Sequence, residues 1–130
     1  MARQLEDKTG APVTISLDEA PPVGAFTVHL PDGTAAGRAD FVDAPEADRE
    51  RIFFHTEVAQ ELNGRGLGGL LVREALADSI GKDLTVVPVC PLFKAHLDEH
   101  GAEFVADGGR FRQPTRADIA LVRRAAARGA

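Results

Sequence analysis

The sequence predicts an α/β fold built on one mixed sheet, with antiparallel strands first and a β-α-β unit after them. Three observations carry this expectation. Residues before 60 alternate between apolar and polar in short runs. A wide apolar face at helical spacing begins at Leu67. The apolar segment LTVVPVC, from Leu84, has the composition of a strand buried on both faces by parallel pairing. At 130 residues the chain has the usual size of one domain, so residues 1–130 are expected to form a single domain with a core between residues 13 and 105.

The elements follow in order. Val13-Thr14-Ile15-Ser16-Leu17 alternates, and Ala25 to Leu30 places Phe26, Val28 and Leu30 on one side, so both read as half-buried strands. Pro31-Asp32-Gly33 is a turn signal with Gly33 available for a positive φ, which makes a hairpin. A third strand spans about Ala35 to Val42. The loop DAPEADRE then gives way to a fourth, RIFFHTEV. In the first helix Leu67, Leu70, Leu71, Val72, Ala75, Leu76 and Ile80 form the apolar face, with Arg73, Glu74 and Asp78 outward. Gly81 is expected to end it in a left-handed cap. Strand, helix and parallel strand together make a right-handed crossover. Pro91 to Leu97 reads as a second helix with proline at its first position, where the missing N–H costs nothing. Thr115-Arg116-Ala117-Asp118 resembles a capping box opening the last helix, about 115–128.

Composition narrows the function. With 44% hydrophobic and 27% charged residues the chain is of soluble globular type. MARQLEDKTG is too polar for a signal peptide and no apolar run approaches the ~18 residues of a bilayer span, so a cytoplasmic protein without a membrane partner is expected. Cys90 is the one cysteine and forms no internal disulfide, which suits a reducing compartment. A net charge of −5 argues against nucleic acid and suits an amine or cationic partner.

Glycine spacing is the strongest local signal. Gly64, Gly66 and Gly69 satisfy the dinucleotide fingerprint G-x-G-x-x-G. The context does not fit that fold: residues 59–63 separate strand from glycines, the next strand ends in Val89-Cys90 rather than an acid, and antiparallel strands come first. No G-K-[ST] follows, so a nucleoside-triphosphate loop lacks its lysine and its magnesium hydroxyl. What remains is a loop whose N–H groups open a helix, a ready anion site, where glycines at 64, 66, 68 and 69 let a diphosphate approach the main chain. Pro88 lies inside the second parallel strand and cannot donate to a ladder, so the pair should part there and leave a cleft.

Asn63-Gly64-Arg65-Gly66-Leu67-Gly68 resembles the Q/R-x-x-G-x-G/A acetyl-CoA loop of the GNAT N-acetyltransferases. The order HTEV, GRGLGG, VPVCP, from about Ile52 to Phe104, is similar to a small single-domain subfamily labelled YjdJ-like. The resemblance implies a GNAT-like fold with splayed parallel strands, acetyl-CoA as cofactor, and acetyl transfer to an amine, either a small molecule or a protein lysine. It assigns coenzyme A to Asn63, Gly64, Arg65, Gly66, Leu67, Gly68, Gly69 and Leu70, with Thr56, Val58 and Cys90 along the pantetheine arm. Asn63 departs from the usual Gln or Arg. Many family members use a tyrosine on the following helix to protonate the departing thiolate, and this chain has no tyrosine.

Cys90 stands in a plausible substitute position. It precedes Pro91 at a helix N-terminus, where the dipole favours a thiolate and burial opposes it. Two catalytic roles are open, proton donor or transient nucleophile, beside a purely packing one. His55 shares a strand face with Glu57 and is the candidate base for the amine, beside a core-histidine reading. His96 and His100 are expected on the surface with no zinc-like ligand set. The acidic loop Asp43 to Glu50 reads as a solvated face, or as the lining of an amine entrance through Asp43, Glu46 and Asp48. Arg123, Arg124 and Arg128 read as solvated, and the last helix covers the sheet or makes a dimer contact. Two other functions compete: a non-catalytic acyl-CoA-binding module, and a dinucleotide binder.

Overall fold

The computed structural model of the chain describes residues 2–45 and 48–129. Seven strands form one sheet in chain order: β1 (Ala2–Glu6), β2 (Pro12–Asp18), β3 (Gly24–His29), β4 (Ala35–Asp43), β5 (Glu50–Val58), β6 (Thr85–Pro88) and β7 (Arg110–Phe111). The first five are antiparallel neighbours, and β5, β6 and β7 run parallel. Helix α1 (Leu67–Gly81) joins β5 to β6, α2 (Pro91–Ala106) joins β6 to β7, and α3 (Arg116–Gly129) follows. None of the described helices is long and apolar enough to cross a membrane.

Alternation along the strands decides which face each helix covers. Phe26, Phe41, Phe53 and Val86 join Leu71, Ala75 and Phe93 in the main core, under α1 and α2. Their chain neighbours Val42, Ile52 and Val87 form a cross-strand row on the other face, each at most 3% exposed. Helix α3 contacts β4 and β5 and buries Ala125, so it covers the sheet on that face.

Several expectations are met in detail. Gly33 turns at φ +89° in the β3–β4 hairpin, Pro91 opens α2, and the Thr115 amide donates to Asp118 at 2.7 Å as α3 begins. Gly81 does not cap α1. It stays helical, Lys82 closes the helix at φ −97°, and the left-handed residue is Asp83 at φ 58°. Asp83 is held there by Arg110 at 2.7 Å, which supplies the local tie that makes a non-glycine αL residue tolerable. Strand β6 ends at Pro88, two residues before Cys90, because Cys90 already caps α2. β1 and β7 are additions to the expected set.

Two aspartates anchor the periphery. Asp7 accepts hydrogen bonds from the Thr9 hydroxyl, the Arg65 guanidinium and the amides of Thr9 and Ala11, with Thr9 first in effect, and its carboxyl is lowered to about 2. Asp118 is likewise lowered to about 2, chiefly by Arg112, which also grips Glu50 at 2.7 Å and so ties α3 to β5. Both folded values lie below the ordinary 3.8. Their stabilisation is therefore complete above that value and is lost as pH falls through it toward 2. Urea midpoints measured from pH 7 to 2.5 should stay flat to about pH 4.5 and then fall, and the Asp7→Asn/Asp118→Asn double variant should show a shallower fall.

Candidate active site

Strand β5 is paired with β6 only from Glu50 to Phe53, whose partner is Pro88. Beyond that register the Phe53 carbonyl accepts both the Val89 amide at 3.0 Å and the Cys90 amide at 2.8 Å, and the chain turns away into α2. Residues 54–58 of β5 keep β4 on one side and, among the described residues, have no strand on the other. The parting falls at the proline that cannot extend the ladder.

A β-bulge sets what faces this gap. In the β4–β5 register Asp40 pairs with His55 and Phe41 with Phe53, so Phe54 is the extra residue. A single inserted residue reverses the alternation. Arg51 and Phe53 point under α1 and α2 before it, and Thr56 and Val58 do so after it. His55 and Glu57 therefore share the opposite face, as their spacing predicts, and lie 3.1 Å apart. Arg38 joins them, 3.3 Å from Glu57 and 3.1 Å from Asp40. The His55 hydrogen bond, then the Arg38 charge, hold the Glu57 carboxyl below its ordinary value.

On the core side Cys90 is 3% exposed and its Sγ lies 3.3 Å from Thr56 Oγ1. Phe93, one turn into α2, stacks on Phe53 with centroids 4.3 Å apart, fixing the helix start against the strand. Cys90 and His55 thus lie on the two sides of β5 where it parts from β6.

The glycine loop adjoins the gap. A short 3₁₀ turn (Gln60–Leu62) ends at Asn63, which is exposed and donates its amide to Gln60 at 3.2 Å. Gly64 and Gly66 take φ +90° and +74°, and Gly66 is the N-cap of α1 without a side-chain cap. The first amides of α1, at Leu67, Gly68 and Gly69, have no acceptor within the helix. Leu67 and Leu70 send their side chains into the core; Leu67 still offers a ligand its amide, whereas the Leu70 amide already donates to the Gly66 carbonyl at 3.0 Å. Arg65 is committed elsewhere: its guanidinium bonds Asp7 and its carbonyl accepts the Lys8 amide at 2.8 Å. A Cβ at Gly68 would stand 3.2 Å from Leu92, and one at Gly66 3.0 Å from Lys8. A cradle that side chains would fill, opening on free amides beside an unpaired strand edge, fits a diphosphate carrying a long thiol arm.

Sequence reading missed two neighbours of this loop. Lys8, on the β1–β2 turn, and Arg73, on α1, border it from either side. Arg73 follows Gly66 by seven residues and so shares its helix face, a signal available from spacing. No local pattern brings Lys8 here. The acidic loop lies at the other end of the sheet, because Asp43 ends β4 and bonds buried Arg51 at 2.7 Å. Asp48 is exposed there, and Glu46 lies outside the described residues. His96 and His100 are partly exposed beside α1 with rings 4.9 Å apart. Burial first, then His100 and Arg73, lower His96.

Comparison with known proteins identifies a family. The family model described as GCN5-related N-acetyl-transferase matches residues 25–107, which span β3 through α2 and hold the gap, the bulge and the loop. No curated protein matches the chain. The match covers well over half of the chain, the α/β fold with its seven-stranded mixed sheet is consistent with that family's fold, and the chain belongs to the GCN5-related N-acetyltransferase family.

Proposed function

We propose that the protein transfers an acetyl group from acetyl-CoA to an amine, and that it is one of the small YjdJ-like members of its family. The observation that carries this reading is the parting of β5 from β6 at Phe53 and Pro88, beside a loop whose amides face outward. Coenzyme A would be held by the amides of residues 67–69 and by the free edge of β5 at Thr56 and Val58. Its acetylated form would supply an activated thioester. On the core side Cys90 either hands its proton to the coenzyme A thiolate that departs as the amine attacks, or attacks the thioester carbonyl itself, its proton passing to the departing thiolate, after which the amine takes the acetyl group from Sγ and the thiol is restored. His55, on the other face, removes the amine's proton, and Glu57 orients its ring at 3.1 Å.

Thermal shift with acetyl-CoA and with NAD, followed by assays on small amines, polyamines and lysine peptides, tests the reading. Stabilisation by acetyl-CoA and turnover of at least one acceptor are expected. Stabilisation by NAD alone would overturn it, and coenzyme A binding without turnover on any acceptor would make the protein a binding module. Gly66→Val should weaken acetyl-CoA by at least about tenfold in calorimetry, since a β-branched residue at φ +74° costs about 1–2 kcal/mol and also meets Lys8.

A further inference from the structure

We propose that the cavity between the β1–β2 turn and the start of α1 is a phosphomonoester site, formed by Lys8 and Arg73, that distinguishes coenzyme A from its dephosphorylated form. The proposal rests on acetyl-CoA being the acyl donor. The cavity has a volume of about 320 Å³ and is bordered by Glu6, Lys8, Gly66, Gly69 and Arg73.

Both cations stand on backbone that is held beside the loop. The Lys8 amide donates to the Arg65 carbonyl, and Asp7 beside it clamps Arg65, Thr9 and Ala11, so the Lys8 backbone is fixed over the loop. Glycine at 66 leaves the room its stem occupies, since a Cβ there would be 3.0 Å from Lys8 Cβ. Arg73 folds back over the first turn of α1, with Nη1 3.2 Å from where a Cβ on Gly69 would stand.

Neither cation has an ion pair among the described residues. The other arginines and lysines from residue 3 to 112 do, apart from Arg49, which bonds two carbonyls. In a chain of net charge −5, leaving these two without a carboxylate beside the glycine loop points to an anion from outside. Within the lining Asp7 is taken by Arg65, which leaves Glu6 as the one uncompensated acid against two cations.

The chemistry selects the kind of phosphate. A diphosphate bridge carries one charge on each phosphorus and is served by main-chain amides. A phosphomonoester carries about −1.5 to −2 at neutral pH and calls for ammonium and guanidinium donors. Coenzyme A has both groups, joined through one ribose, and the loop and the cavity offer both receptors side by side.

Titration calorimetry at fixed ionic strength with coenzyme A, dephospho-coenzyme A and inorganic phosphate tests this, on the wild type and on Lys8→Gln/Arg73→Gln. Glutamine keeps the aliphatic stems, and a thermal melt of the variant checks its fold. The wild type should bind coenzyme A about tenfold more tightly than the dephosphorylated form. The double variant should lose that difference while its affinity for the dephosphorylated form stays the same. Equal affinities in the wild type, or a difference that survives in the variant, would overturn the proposal. So would inorganic phosphate binding as tightly as coenzyme A, which would make the cavity a free-anion site. Failure of both nucleotides to bind would instead remove the acyl-donor reading, and the proposal with it.

Discussion

Cys90→Ala should lower turnover at saturating acetyl-CoA by at least about 100-fold, the smallest contribution expected of a positioned proton donor or nucleophile. Binding should persist, because the loop amides and the β5 edge do not involve the thiol. Stability should change little, since replacing one buried sulfur by hydrogen costs about 1 kcal/mol. A rate loss of that size with affinity and fold retained marks an interaction made in the transition state. Incubating the wild type with acetyl-CoA and no amine, then weighing the intact protein, separates the two chemical roles. One added acetyl on Cys90 selects the nucleophile, and an unmodified chain that still turns over selects the proton donor. Unchanged turnover in Cys90→Ala would leave the side chain as packing beside Thr56 and Phe93.

The sequence carried the parts of this fold that depend on local chemistry. Alternation placed β2 to β5, Pro88 located the end of parallel pairing, and Pro91 located the start of α2. The glycines marked the loop because two of them need positive φ. What escaped depends on partners distant in the chain. β1 reads as a polar terminus because an edge strand shows one side to water, and β7 has only two residues in which to show any period. The bulge at Phe54 is a property of register with β4, which RIFFHTEV alone does not display. The surroundings of Arg51 are equally non-local. The residue is 2% exposed, among Glu19, Asp43 and Asp78, with its guanidinium 4.0 Å from the centre of the Phe41 ring. These partners come from three separate segments and make a burial tolerable that composition would assign to solvent. For the same reason the pairing of the Arg65 side chain with Asp7, 58 residues apart, has no local signal.

Phe53→Ala should be the most destabilising single truncation at the site. Phe53 is fully buried, with ring centroids 4.3 Å from Phe93, 5.7 Å from Phe41 and 6.4 Å from Phe26. Its loss leaves a cavity where strands and α2 meet, at about 3–5 kcal/mol, a large part of the 5–15 kcal/mol that holds a domain of this size. Urea denaturation should show the midpoint fall with little change in slope. The same residue also sets the active geometry. Its carbonyl holds the Val89 and Cys90 amides where β6 departs, while its ring fixes Phe93 and hence the first turn of α2. Phe53→Leu refills much of the volume and should recover most of the stability, at a residual cost of about 1–2 kcal/mol. It does not restore the flat stack against Phe93, so Cys90 should sit less firmly beside the gap. The expected signature is a leucine variant folded at assay temperature whose kcat remains several-fold low while its acetyl-CoA affinity is that of the wild type. A variant whose kcat recovers in step with its stability would show that Phe53 contributes bulk alone, and that the parting of the strands positions Cys90 without it.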